Sequence, residues 1–218
     1  MKRIDPVKIQ KICINCCGLI GDVLIRTPFV EAVSKIYPHA KITAITDEGR
    51  EELLNNHPNI NNVITYKRNK KPRFSYIVNI IKFIRQLRKN KFDLIINLYG
   101  GGSSAIITKW SNAHLRLGFY RNDKEKKVYT YGVPWPEYEM SSQLYHWGQQ
   151  FGLLLKPFSV FPKDLLAGVT FTPTTEAQEK AHKIIAKVNR PWVLMNMGAG
   201  DTRKLWNIDN FVSTAIWL

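Results

Sequence analysis

Short apolar runs rich in isoleucine and valine recur along this chain of 218 residues, and amphipathic stretches separate them. A parallel sheet covered by crossover helices produces this pattern, because its strands are buried on both faces and the helices on only one. The expected class is therefore α/β, with strands at about 8–16, 41–46, 62–66, 94–98 and 192–197. Helices are expected at about 22–37, 49–55, 75–89, 103–112, 137–151 and 174–188.

Prolines punctuate that order. Pro28 lies early in the first helix, where it removes one backbone donor and bends or delays the helical start. Pro38 and Pro58 close the segments before them, since the residue preceding a proline is biased toward extended backbone. The charged stretch 67–73, with Asn69 and Pro72, reads as a loop. Residues 131–136 read as an irregular connector, followed by a helix that Gly152 caps. A second connector runs over 156–173, with a short strand-like segment at 169–172. The domain boundary is placed there, giving an N-terminal domain over 1–165 and the start of a second over 166–218.

The turn leaving the first strand is Cys17-Gly18-Leu19-Ile20-Gly21-Asp22. Gly18 and Gly21 permit a tight turn and close approach of a ligand, and the following helix start presents unpaired amides. Asp22 in a first helical turn has a plain role against the helix dipole, worth about 0.3–1 kcal/mol. The third glycine of a dinucleotide fingerprint is absent, although Asp47 near the next strand end keeps a nicotinamide-type reading open. The spacing Cys13-Ile14-Asn15-Cys16 superficially suits a metal or redox pair, but residues three apart on a strand point to opposite faces. All three cysteines are read as structural.

Near the other end, an apolar run enters Gly198-Ala199-Gly200-Asp201-Thr202-Arg203-Lys204-Leu205-Trp206, and a helix is expected from about Asn207 or Asp209. Small residues after a strand admit a phosphate to the backbone amides, and Lys204 can neutralise it. With no ligand, Lys204 is an ordinary exposed lysine and Trp206 a core anchor.

The two segments together resemble glycosyltransferase family nine, the heptosyltransferases of lipopolysaccharide core assembly. The resemblance implies a GT-B architecture: a Rossmann-like N-terminal domain on the acceptor side and a second Rossmann-like domain that binds the nucleotide sugar. It also implies that Asp22 is the general base, and that Ala199, Gly200 and Lys204 meet the donor diphosphate. Ile25-Arg26-Thr27-Pro28 and Arg116-Leu117-Gly118-Phe119 match further family stretches. By the same resemblance Gly18, Gly21, Arg26, Arg116 and Arg121 fall on the acceptor side. The expected reaction is an inverting transfer from an ADP-heptose-like donor to an acidic glycolipid, with neither metal nor cofactor required. Glu139 departs from the family pattern, which commonly has histidine there.

Composition bears on partners. A formal net charge of +15, from 32 Lys and Arg against 17 Asp and Glu, draws the chain to polyanions. An acidic glycolipid and an anionic membrane surface fit that charge. A non-catalytic polyanion-binding protein is the competing reading, but no stacking or groove-reading motif points to specific nucleic-acid recognition. No apolar stretch approaches the roughly 20 residues of a membrane span. Residues 1–11 lack a secretory signal pattern, so the expected compartment is the cytoplasm, with peripheral attachment to the inner face of the inner membrane. The sequence stops 12 residues after Trp206, before the family's later nucleoside-binding segment. The expectation is that this chain alone is inactive and leaves 192–197 and 211–218 poorly covered.

Overall fold

The computed structural model describes residues 9–67, 73–100, 102–135, 146–160, 168–199 and 201–218. Six strands form one parallel sheet: β1 Lys11–Asn15, β2 Lys41–Asp47, β3 Asn62–Tyr66, β4 Leu94–Asn97, β5 Leu115–Tyr120 and β6 Tyr131–Pro134. Their order is β3-β2-β1-β4-β5-β6. The chain builds outward from β1 through β2 to β3, then crosses back and builds outward the other way from β4. Loops leaving β1 and β4 therefore diverge, and their fork is where open sheets of this Rossmann-like kind accept ligands.

Alternation along the strands feeds two cores. Ile12, Ile14, Leu94 and Ile96 point to one face, where they meet Phe29, Val30 and Val33 of α2 (Thr27–Ile36) and Leu154 of a 3-10 helix, Trp147–Phe158. Cys13 and Ile95 point to the other, against Ile80, Phe83 and Leu87 of α4 (Arg73–Asn90) and Ile107 of α5 (Gly102–Trp110). Each such side chain contributes about 1.5–3 kcal/mol by leaving water. Cys13 and Cys16 fall into different cores, and all three cysteines are buried and free.

Several expected elements change. The helix expected over 22–37 is two: α1, Ile20–Leu24, ends before Arg26, and α2 starts afresh with Pro28 in its first turn. Proline belongs there, because its missing N–H would have had no partner. The helix expected over 49–55 shrinks to α3, Glu52–Asn55. β5 was not anticipated, and the connector expected over 131–136 contains β6. That strand is at the sheet edge, where a proline such as Pro134 costs little. The basic loop expected over 67–73 and the helix expected over 137–151 fall largely outside the described residues, as does Glu139. Gly152 caps nothing, since the 3-10 helix passes through it and ends at Ser159, whose φ of 63° is left-handed. Residues 169–172 form no strand, although the Thr170 amide donates to Thr27 Oγ1 at 2.8 Å. A single-turn helix, α6 Asp123–Lys126, follows β5.

Contacts divide the chain into two compact units, Met1–Thr174 and Thr175–Leu218. The second holds α7 Thr175–Ile185, a 3-10 turn Thr202–Lys204 and α8 Ile208–Trp217, started by Asn207, whose side chain accepts from the Asp209 amide. The strand expected over 192–197 is absent: those residues have no ladder partner among the described residues, and Leu194 is 96% exposed. No described residue of this unit is buried.

Candidate functional site

The loop between β1 and α1 is fixed by its own side chains. Gly18 has a φ of +152°, and a Cβ there would sit 2.5 Å from Asp22 Cβ and 2.8 Å from Arg26 Nη1, so glycine is required. Its amide donates to Asp47 Oδ2 at 2.9 Å, which gives the Asp47 carboxylate a loop-holding task at the end of β2. The Leu19 amide donates to Asp22 Oδ2, also at 2.9 Å. Asp22 Oδ1 accepts no hydrogen bond from the described residues, and the side chain is half-buried. Gly21 is different: a Cβ there meets nothing within 4 Å, so no close approach explains it.

Arg26 lies beneath this loop, 4% exposed. Its Nη1 donates to the carbonyls of Cys16 (3.1 Å) and Cys17, and its guanidinium covers the Phe151 ring at 5.5 Å. Burial lowers its pKa, while the carboxylate of Asp22 acts the other way and favours the charged form. The break between α1 and α2 turns this side chain inward. Its placement is that of a strut under the glycine turn.

Sequence reasoning did not single out the polar cluster at the fork. Asn15 and Asn97 end β1 and β4 and are register partners. Asn15 Nδ2 donates to Asn97 Oδ1 at 3.1 Å, and Asn97 Nδ2 donates to Ser104 Oγ (3.0 Å) and Tyr129 Oη (2.9 Å). Each asparagine also accepts from the loop that follows it, through the amides of Cys17 and Tyr99. Burial raises the Tyr129 phenol to about 12. Its ring lies against Gly118, where a Cβ would meet it at 2.3 Å. The available signal was an asparagine closing each of two isoleucine-rich runs.

At the β5 end of the fork, Arg121 is exposed and its guanidinium stacks 4.9 Å above Trp135, which packs edge-on against Phe119 at 5.5 Å. Gly100, at φ +70°, makes room for the Trp135 ring, which a Cβ would strike at 2.5 Å. Arg116 is at the opposite end of β5. Its Nε donates to Val128 O (2.7 Å) and its Nη1 to Ala113 O (2.8 Å), which spends both on backbone. The fold thus brings Gly18, Asp22 and Arg26 together, with Arg121 on the same side of the sheet and Arg116 away from it.

In the second unit, Ala199 and Lys204 are exposed, and Gly200 lies outside the described residues. Asp201 starts the 3-10 turn by accepting from the Arg203 amide (3.0 Å), and it pairs with the Arg203 guanidinium at 2.7 Å. That hydrogen bonding lowers the Asp201 pKa. Trp206 stacks edge-on with Phe211, their ring centres 4.9 Å apart, so it anchors the start of α8. Among the described residues no three His, Cys, Asp or Glu side chains converge as metal ligands.

Comparison with known proteins gives this geometry a lineage. The family profile described as glycosyltransferase family 9 (heptosyltransferase) matches residues 80–215, which include Arg116, Arg121, Ala199 and Lys204 but not the glycine loop. Lipopolysaccharide heptosyltransferase 3 of Escherichia coli is 31% identical over 118 residues, covering 52% of this chain and 35% of that protein. Lipopolysaccharide core heptosyltransferase OpsX of Haemophilus influenzae is 26% identical over 110 residues, covering 50% and 30%. The chain thus matches about a third of the length of these curated relatives. Among solved structures, a glycosyl transferase family 9 protein from Veillonella parvula superposes with a TM-score of 0.78 at 21% identity, covering 95% of this chain and 59% of that one. The E. coli heptosyltransferase WaaC with ADP gives 0.62 at 16%, covering 96% and 64%, a likeness of fold. With its matched stretch spanning more than half of its length, this chain belongs to glycosyltransferase family 9.

Proposed function

We propose that this chain is the acceptor-side domain and the beginning of the donor-side domain of an enzyme that moves a heptose-type sugar from an ADP-sugar to a lipopolysaccharide core. The observation that carries the reading is the state of Asp22. One carboxylate oxygen is fixed by the Leu19 amide, and the other accepts nothing from the described residues at the mouth of the β1 loop. A half-buried carboxylate so oriented suits a general base, a role typically worth about a hundredfold to ten-thousandfold.

In the proposed reaction, Asp22 takes the proton from an acceptor hydroxyl and that oxygen attacks the anomeric carbon. A new glycosidic C–O bond forms, the bond from that carbon to the diphosphate breaks, and ADP leaves with the electron pair. Lys204 and the amides about Ala199 and Gly200 receive the growing charge on the leaving diphosphate, where fixed donors give most of their benefit. Arg26 and Gly18 shape the base's loop, while Arg121 faces the acidic acceptor. The scheme needs no metal.

The heptosyl group and the acceptor class come from relatives named for lipopolysaccharide heptosyl transfer, and the ADP-linked donor from the WaaC structure, which is named for its ADP. No helix among the described residues is long and apolar enough to cross a membrane, and the proposed site of action is the cytoplasmic face of the inner membrane. The unit Thr175–Leu218 buries none of its described residues, so no walled nucleoside pocket forms among them, and the 218-residue chain alone is expected not to turn over. The test is ADP release from ADP-heptose by the chain joined to the remaining length its relatives possess. Release that depends on a heptose-deficient core acceptor supports the reading, and none with any core acceptor overturns it.

A further inference from the structure

The outer face of α4 carries two kinds of side chain in series. Phe74, Ile77 and Ile81, at spacings of three and four, share one stripe and are 77%, 49% and 44% exposed. The same stripe continues as Arg85 and Arg88, with Lys82 and Lys89 beside it, all exposed. These residues stand outside the core, which Ile80, Phe83 and Leu87 join from the adjoining face of the helix. Neither α4 nor α5 contains an aspartate or glutamate. Arg88 Nε donates to the carbonyl of Trp110 at 2.9 Å, so the exposed Trp110 ring at the end of α5 adjoins the basic half of the stripe. Lys109 lies 5.8 Å from that ring.

We infer that this face is a membrane-docking surface, with α4 lying in the plane of an anionic bilayer. Its apolar half enters the headgroup boundary and its basic half pairs with lipid phosphates. A helix with one core-facing apolar side, a second apolar patch and only positive charge on that outer side matches the chemistry of an interfacial helix. Tryptophan at the rim suits the same boundary. Charge complementarity selects the occupant. A second copy of this chain would set this acid-free basic face against another positive surface, since the net charge is +15. The inference deepens the reading of a glycolipid acceptor, and its test does not depend on sugar transfer.

The experiment is cosedimentation of the 218-residue chain with phosphatidylcholine vesicles, with and without about 30% phosphatidylglycerol, at about 0.1 M salt. The expected result is binding only to the anionic vesicles, weakening as salt rises. Replacing Lys82, Arg85 and Lys89 by Gln is expected to weaken it on the order of a hundredfold, at about fivefold per charge removed. Converting Phe74, Ile77 and Ile81 to Ser is expected to abolish it, with far-UV circular dichroism unchanged in both variants. Unaltered binding by both folded variants overturns the inference, as does equal binding to uncharged vesicles or to none. It is also overturned if sedimentation velocity shows a dimer that the serine variant breaks, or if duplex DNA binds more tightly than the anionic vesicles and loses that binding in the same variants.

Discussion

Asn15 and Asn97 face each other across the β1–β4 junction, with the amide of the first donating to the carbonyl of the second at 3.1 Å. Each also holds the turn that leaves its strand. The pair therefore locks two diverging loops into one fork from the inside. Replacing Asn97, which is wholly buried, by Ala removes at once its bonds with Asn15, Ser104, Tyr129 and the Tyr99 amide. At about 0.5–1.5 kcal/mol net for each buried hydrogen bond lost, the expected loss is about 3 kcal/mol or more. Asn15→Ala is expected to cost about half of that. Urea unfolding followed by circular dichroism measures both, and a loss under about 1 kcal/mol for Asn97→Ala would show that the junction does not depend on this pair.

The two glycines of the first loop separate by the same measurement. Gly18→Ala forces a methyl into Asp22 and Arg26 at a φ that side chains rarely adopt, so a loss of about 2 kcal/mol or more is expected. Gly21→Ala adds a methyl in open space within α1, and a gain of about 0.5–1 kcal/mol is expected from better helix propensity. Equal effects at the two positions would contradict this account of the turn.

The difference between what the sequence conveyed and what it did not follows from range. β3 was legible to the residue, since Asn62–Tyr66 is a compact β-prone run bounded by turn residues. β5 was not, because Arg116 and Gly118 interrupt its apolar pattern. Both are explained only by groups elsewhere: the carbonyls of Ala113 and Val128 for the arginine, and the Tyr129 ring for the glycine. Residues 192–197 err in the opposite direction, since an apolar run makes a strand only when another strand is available to pair with it. At the site, the glycine turn and Asp22 were visible as local chemistry. The bonds from Asp47 to Gly18 and from Asn15 to Asn97 required the sheet order, which no single segment encodes.

Alkaline pH should destabilise the first unit through its thiols. In the unfolded chain Cys16 ionises near its ordinary pKa of 9.0, whereas complete burial holds the folded thiol protonated to about 12. Burial also raises Cys13 well above that ordinary value, and the neighbouring thiols add to the effect. The folded pKa is raised, so this contribution is fully present below pH 9 and is lost as pH climbs toward 12. The expected slope is about 1.4 kcal/mol per pH unit for each thiol. Urea midpoints of parent and Cys16→Ser, compared between pH 8 and pH 10.5, give the check. Replacing Cys16 should flatten the decline, and an unchanged slope would assign it to other groups.

Asp22 offers two tasks that substitution can divide. Its Oδ2 accepts from the Leu19 amide, and an Asn side chain at that position retains a carbonyl oxygen for that bond. The second oxygen, which accepts nothing from the described residues, is the one proposed to take the acceptor's proton, and an amide cannot take it. Asp22→Asn is therefore expected to leave stability within about 0.5 kcal/mol of the parent while lowering kcat by about a hundredfold to ten-thousandfold in a protein of the relatives' full length. Asp22→Ala loses the loop bond as well and is expected to cost about 1 kcal/mol on top of the same kinetic defect. Denaturant titration reads the first task and single-turnover rates with saturating donor read the second. If Asp22→Asn kept more than about a tenth of the parent rate, the carboxylate would be a loop-holding residue only.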